Sequence, residues 1–131
     1  MAGTPGRSDY EEAANLQAAL RRFLRRSEEI ARRNGLTPRQ HLLLLMVKGA
    51  AGGVETATIS DLVERLSLTQ STVTELVQRA EEADLLQREP SPTDGRVFFL
   101  RLTDKGERLL AASVGEHGPE RETLLDLIKR D

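Results

Sequence analysis

Residues 59–86 read ISDLVERLSLTQSTVTELVQRAEEADLL, and this stretch decides the fold. Thr58-Ile59-Ser60-Asp61 opens it with a capping signature, in which a hydroxyl and a carboxylate satisfy helix N–H groups that have no partner of their own. A short helix follows, with Leu62, Val63 and Leu66 facing inward. Ser67-Leu68 leaves room only for a brief turn. Thr69 then caps a second helix, which keeps Val73, Leu76, Val77 and Ala80 on one face. The other face offers Gln70, Ser71, Thr72, Thr74, Glu75, Gln78 and Arg79. Two short capped helices across so tight a turn predict a helix-turn-helix.

Downstream, residues 85–89 suit a short strand. Pro90-Ser91-Pro92-Thr93-Asp94-Gly95 is turn chemistry, and VFFLRL (97–102) is the returning strand. Alternation predicts that Phe98, Leu100 and Leu102 share a buried face. Upstream, Thr37-Pro38-Arg39-Gln40 places a cap, a proline at the first helical position and a capping-box glutamine in order. The LLLLMV run behind it is apolar all round and predicts a buried helix, ended by Gly49, Gly52 and Gly53 in a flexible loop. The whole order predicts a mainly α protein with a small β-hairpin wing, a winged helix-turn-helix.

Residues 1–8 are expected to be a disordered tail, with Ser8 or Asp9 capping a first helix that stops at Asn34-Gly35. Leu16, Leu20, Phe23, Leu24, Ile30 and Ala31 fall within an arc of about 120° on that helix. Six arginines, at 21, 22, 25, 26, 32 and 33, occupy the opposite arc. Thr103 caps a later helix carrying Leu109 and Leu110, which Gly115 and Gly118-Pro119 are expected to interrupt. A final amphipathic piece carries Leu124, Leu125, Leu127 and Ile128. A terminal helix with one apolar face must bury it somewhere. Leu16, Leu20, Phe23, Leu24, Ile30, Leu124, Leu127 and Ile128 therefore predict a dimer seam, with intrachain core as the alternative. The expected organisation is a dimerisation helix at 9–35, a winged region at 36–104 and further dimerisation helices at 105–131.

Composition narrows the function. The 131 residues contain no Cys, which excludes disulfides, thiolate metal sites and thiol nucleophiles. Two histidines, His41 and His117, are too few for a histidine-rich metal cage, so no metal or cofactor is expected. The longest apolar run, Leu42 to Val47, is far short of the roughly 20 residues that span a bilayer. MAGTPGRSDYEE has no apolar run behind a basic start, which predicts no signal peptide and an intracellular, non-membrane protein. No nucleophile motif surrounds Ser60, Ser71 or Ser91, and no Gly-rich phosphate loop follows a strand, so an enzyme is not expected. The net charge of -2 is unevenly spread: residues 1–57 carry +3 and residues 58–104 carry -4.

A helix of this type docks in the major groove, where Ser and Thr reach phosphates or bases and Gln pairs with adenine. The hairpin tip brings Arg96 beside Asp94, and an Arg there suits a narrow minor groove. The sequence resembles the multiple-antibiotic-resistance-regulator (MarR) type of winged-helix regulators. The carriers are LTPRQHLLLL (36–45), residues 59–86, and Asp94-Gly95-Arg96 followed by Leu102-Thr103 and Lys105-Gly106. The last is similar to that family's wing signature. The resemblance implies a cytoplasmic regulator from a bacterium or archaeon, generally a repressor. It implies a homodimer on a pseudo-palindromic DNA operator, released by a small aromatic or anionic ligand. The helix face and hairpin give Thr69, Gln70, Ser71, Thr72, Thr74, Glu75, Gln78, Arg79, Arg88, Asp94, Gly95 and Arg96 as candidate DNA contacts, and the resemblance implies that Asp94 orients Arg96 into the minor groove.

Four points stay open in the sequence. Glu75 and Glu89 stand where the pattern favours basic or neutral residues, and Asp84 stands where it favours Gly. An acidic head should bind DNA weakly with a shallow salt slope. The alternative function is thus a dimeric ligand-sensing or protein-interaction module. The arginines of the first helix either form a solvated face or reach flanking phosphates. His41 is either a satisfied core histidine or part of an effector pocket, and His117 is expected to be exposed.

Overall fold

The computed structural model describes residues 3–129. Helix α1 spans Arg7–Arg33, α2 Pro38–Lys48, α3 Ile59–Leu66 and α4 Gln70–Glu82. Strands β1 (Leu86–Pro90) and β2 (Phe98–Leu102) form one antiparallel hairpin, and α5 (Asp104–Glu116) and α6 (Gly118–Lys129) close the chain. The architecture is a winged helix-turn-helix between terminal helices.

The capping chemistry acts as the sequence predicts. Thr58 Oγ1 accepts from Asp61 N at 3.1 Å while Asp61 Oδ2 accepts from Thr58 N at 2.9 Å. Thr37 and Gln40 repeat the arrangement at α2. Ser67 takes the left-handed φ of 54° that ends α3 and turns the chain into α4. Leu43, Leu44 and Val47 of α2, Leu62 of α3, and Val73, Val77 and Ala80 of α4 meet Leu86, Leu100 and Leu102 of the hairpin in one core. Each such leucine contributes about 1.5–3 kcal/mol by leaving water. Ala57 bridges Leu100 through both backbone hydrogen bonds, 3.1 and 2.8 Å, and so ties the chain ahead of α3 to the wing.

Several expectations are corrected. Helix α1 begins at Arg7 with Gly6 as its N-cap, and Asp9 reaches back to Gly6 N at 2.9 Å from inside the first turn. Residues 7 and 8 of the expected tail are therefore helical, while residues 1–2 lie outside the described residues. Residues 51–53 form a 3-10 turn, where a flexible loop was expected. Each strand starts one residue later than expected: Leu85 is buried in the corner leaving α4, and Val97 still belongs to the turn, its N donating to Asp94 O at 3.1 Å. Gly115 lies inside α5, and the one break falls at His117.

Phe98 is 47% exposed although Leu100 and Leu102 on its face are buried, because the hairpin outruns the core at that end. Ile30 is 1% exposed within the single chain, so it packs internally and leaves the expected seam.

Candidate nucleic-acid interface

Helix α4 presents Gln70, Ser71, Glu75, Gln78 and Arg79 to solvent, with Thr72 and Thr74 half-buried at its edge. The N-terminus of α4 is held by hydroxyls. Thr69 Oγ1 accepts from Thr72 N at 3.2 Å and donates to Thr72 Oγ1 at 2.9 Å. Thr69 and Thr72 are thus occupied in shaping the helix start. Arg79 is paired with Glu75 one turn earlier, at 2.6 Å.

The wing tip is a small hydrogen-bonded scaffold. Ser91 Oγ accepts from Thr93 N and Asp94 N, both at 3.2 Å. Asp94 Oδ1 accepts from Arg96 N at 3.0 Å and faces its Nε at 3.5 Å. Gly95 completes the turn in the open. The Arg96 side chain is 94% exposed, so the carboxylate fixes its base while its guanidinium projects freely.

Arg88 has a different place from the one expected of a free phosphate contact. Its Nε and Nη2 donate to the two carboxylate oxygens of Glu81 at 2.9 and 3.0 Å, a bidentate pair that spans α4 and β1. Its guanidinium also lies 5.4 Å from the Phe98 ring centre. The bond to Glu81 pushes the Arg88 pKa further up. Arg88 braces the wing against α4. Glu89 is likewise paired, with Arg101 at 2.7 Å.

The corner between α4 and β1 sets how α4 and the wing sit together, and its residues were not assigned to the site from sequence. Asp84 adopts φ 62°, tolerable for Asp. Thr103 Oγ1 donates to Asp84 O at 2.6 Å, Lys105 Nζ to Ala83 O at 2.9 Å, and Thr103 N to Leu85 O at 3.0 Å. A Cβ on Gly106 would stand 2.3 Å from Leu85 O, so only glycine lets α5 approach so closely. The Leu102-Thr103-x-x-Gly106 pattern was the available signal, and its work is positional.

A second feature lies behind the head. A cavity of about 410 Å³ opens between α1, α2 and the α5–α6 junction, with His41, His117 and Phe23 in its walls. Burial lowers the His41 pKa, helped by the charge of His117. His117 is 4% exposed, contrary to the sequence expectation, because the helix break at 117 folds back onto α1. Its ring packs against Phe23 at a 34° tilt with centroids 4.3 Å apart, and burial lowers its pKa against the pull of Glu120. Its Nε2 finds no hydrogen-bond partner among the described residues.

The seam residues divide. Leu16, Leu24, Leu127 and Ile128 are exposed, while Leu20, Phe23 and Leu124 are half-buried. Among the described residues no group of three or more His, Cys, Asp or Glu side chains is placed to hold a metal. No described helix is long and apolar enough to cross a membrane.

Comparison with known proteins agrees with this geometry. The family profile described as the MarR family matches residues 34–97. The HTH-type transcriptional regulator MgrA of Staphylococcus aureus is 32% identical over 95 residues, covering 72% of this chain and 60% of MgrA. Among solved structures, AbsC of Streptomyces coelicolor, a MarR family transcriptional regulator, aligns with a TM-score of 0.74 at 20% identity, covering 96% of this chain and 84% of AbsC. Sco3205 of the same organism, solved in complex with DNA, aligns with a TM-score of 0.71 at 18% identity, covering 95% of this chain and 77% of Sco3205. The fold is a winged helix, and residues 34–97, just under half of the chain, match the MarR family. It spans between half and three-fifths of the length of the curated relatives it matches.

Proposed function

We propose that this chain is a cytoplasmic DNA-binding transcription regulator, a repressor rather than an enzyme, acting as a homodimer on a pseudo-palindromic operator. The observation that carries the reading is the pairing of an exposed polar face on α4 with a wing tip that offers Arg96 to solvent on an Asp94 anchor. Two such heads set about 34 Å apart would meet successive major grooves on one DNA face. Gln70, Ser71 and Gln78 then face base edges, and Arg96 enters the flanking minor groove. The exposed leucines of α1 and α6 support dimerisation through the terminal segments 9–35 and 105–131. The cavity at His41 and His117 supports release by a small aromatic or anionic ligand, which acts by its differential affinity for another head spacing.

The test is binding of the purified dimer to its own upstream DNA, wild type against Arg96→Ala, at two salt concentrations. Salt-sensitive binding, weakened by about 1–3 kcal/mol in Arg96→Ala, is the expected result. A second reading, an interaction module with little DNA binding, is favoured by one observation: Arg79 and Arg88 are both engaged by carboxylates. Failure of the verified dimer to retain any duplex from a random library at low salt would select it.

A further inference from the structure

The head carries -4 over residues 58–104, and within it Glu75 holds Arg79 while Glu81 holds Arg88. Affinity for duplex DNA comes largely from cations that displace condensed counterions at phosphates. A DNA-binding protein with this head needs such cations from outside it. They are available at a groove of about 530 Å³ where the end of α1, the start of α2 and the second half of α4 meet. Arg32 of α1, Arg39 of α2 and Arg79 of α4 line it above a floor that includes Leu43 and Leu76, and Glu28 is its one carboxylate. Arg32 and Arg39 are exposed, and neither forms an ion pair among the described residues. The amides at the start of α2 do not make the site, because Thr37 already caps them. The guanidiniums of Arg32 and Arg39, unpaired among the described residues, do, with Arg79 of α4, held by Glu75, beside them.

We infer that Arg32 and Arg39 form a second, sequence-independent contact to the phosphates beside the major groove that α4 reads, so that the DNA footprint extends beyond the reading helix and the wing. The inference rests on the DNA-binding reading above. Continuity carries it: Arg79 belongs both to the exposed face of α4 and to this groove. Arg32 is four residues from Glu28, yet no bond joins them, so its guanidinium stays available to a phosphate. The six arginines in the second half of α1 divide accordingly. Arg26 and Arg33 are paired with Glu120 and Glu116 and hold α1 to the α5–α6 segment, whereas Arg32 faces the reading head.

The experiment uses the full chain and a duplex selected from a random library by the wild type. Arg32→Ala/Arg39→Ala is compared with Arg21→Ala/Arg108→Ala, which removes equal charge from exposed sites elsewhere. Dimer mass and thermal midpoint are measured for both. The groove variant is expected to lose about tenfold or more in affinity, equally for selected and random duplex. Its salt slope becomes shallower by about 3–4, since a dimer loses four phosphate contacts at roughly 0.9 each. The control variant keeps the wild-type slope. An unchanged slope in the groove variant, or an equal loss in the control, overturns the inference while leaving the DNA-binding reading intact. A wild type that retains no duplex defeats that reading, and this inference with it.

Discussion

The winged head and the terminal helices treat apolar residues in opposite ways. In α3 and α4 every apolar side chain is buried or half-buried within the one chain. In α6 none is buried, and Leu125, Leu127 and Ile128 stand in water, with Ile128 59% exposed. Leu16 and Leu24 do the same on α1. The difference teaches that α3 and α4 find their apolar cover within one chain, while the terminal helices leave apolar surface open to a partner. Charge follows the same division. The head is acidic and its carboxylates hold Arg79, Arg88 and Arg101, whereas the second half of α1 is rich in arginine.

The comparison can be broken most severely in the head. Leu62→Ala empties a fully buried site, and Gly106→Val drives a side chain into Leu85 O. Each should cost about 2–5 kcal/mol in urea unfolding, and a cost below 1 kcal/mol would mean that the head is not the finished unit described. Next comes Leu127→Glu, placed on the exposed face of α6. It should weaken self-association about a hundredfold by sedimentation with little change in head stability, as for a central interface residue. Undiminished association would leave the exposed leucines without a role.

A smaller effect lies at the join of the two regions. Burial holds both His41 and His117 below the ordinary imidazole value near 6.5. Between the folded and unfolded pKa values the unfolded chain binds more protons, so stability rises with pH there. It should be complete above about pH 6.5 and decline as the pH falls through the lowered folded values. Around His117 the charged groups are Glu120, Arg121 and Arg26, and His41 adds its own charge on protonation. His41→Gln/His117→Gln should flatten the unfolding midpoint between pH 5 and 7, and an unchanged profile would place the titration elsewhere. The smallest effect is expected at Glu75→Arg. The exposed pair with Arg79 is worth little to stability, within about 0.5 kcal/mol. Its removal should nonetheless raise DNA affinity, and an unchanged affinity would count against α4 as the reading helix.

Much of the fold was legible because its signals are local. A capping box spans three residues, so Thr37 with Gln40 and Thr58 with Asp61 could be matched by counting. The left-handed corner at Gly35 follows from residue type in the same way, and Asp84 takes the one where the family pattern favours Gly. The candidate site was legible where it is equally local, at Asp94 and Arg96 and on the polar face of α4. It was not legible where the partner lies far along the chain. Arg88, assigned to DNA, is brought to Glu81 by the return of β1, and Lys105 meets Ala83 O only once α5 packs there.

The sequence by itself thus determined which long segments are helical, where α2, α3, α4 and α5 start, and which face each would bury, since those depend on neighbours within a turn or two. Tertiary structure alone decided which faces find cover. Ile30 is enclosed while Leu24, two turns earlier on the same stripe, is not, because α1 meets the head only near its end. Phe98 is left outside by the length of the hairpin, and His117 is taken inside by the break between α5 and α6. Periodicity specifies a direction around a helix axis, but burial also requires a neighbour at that height along it, and only the packed chain supplies one.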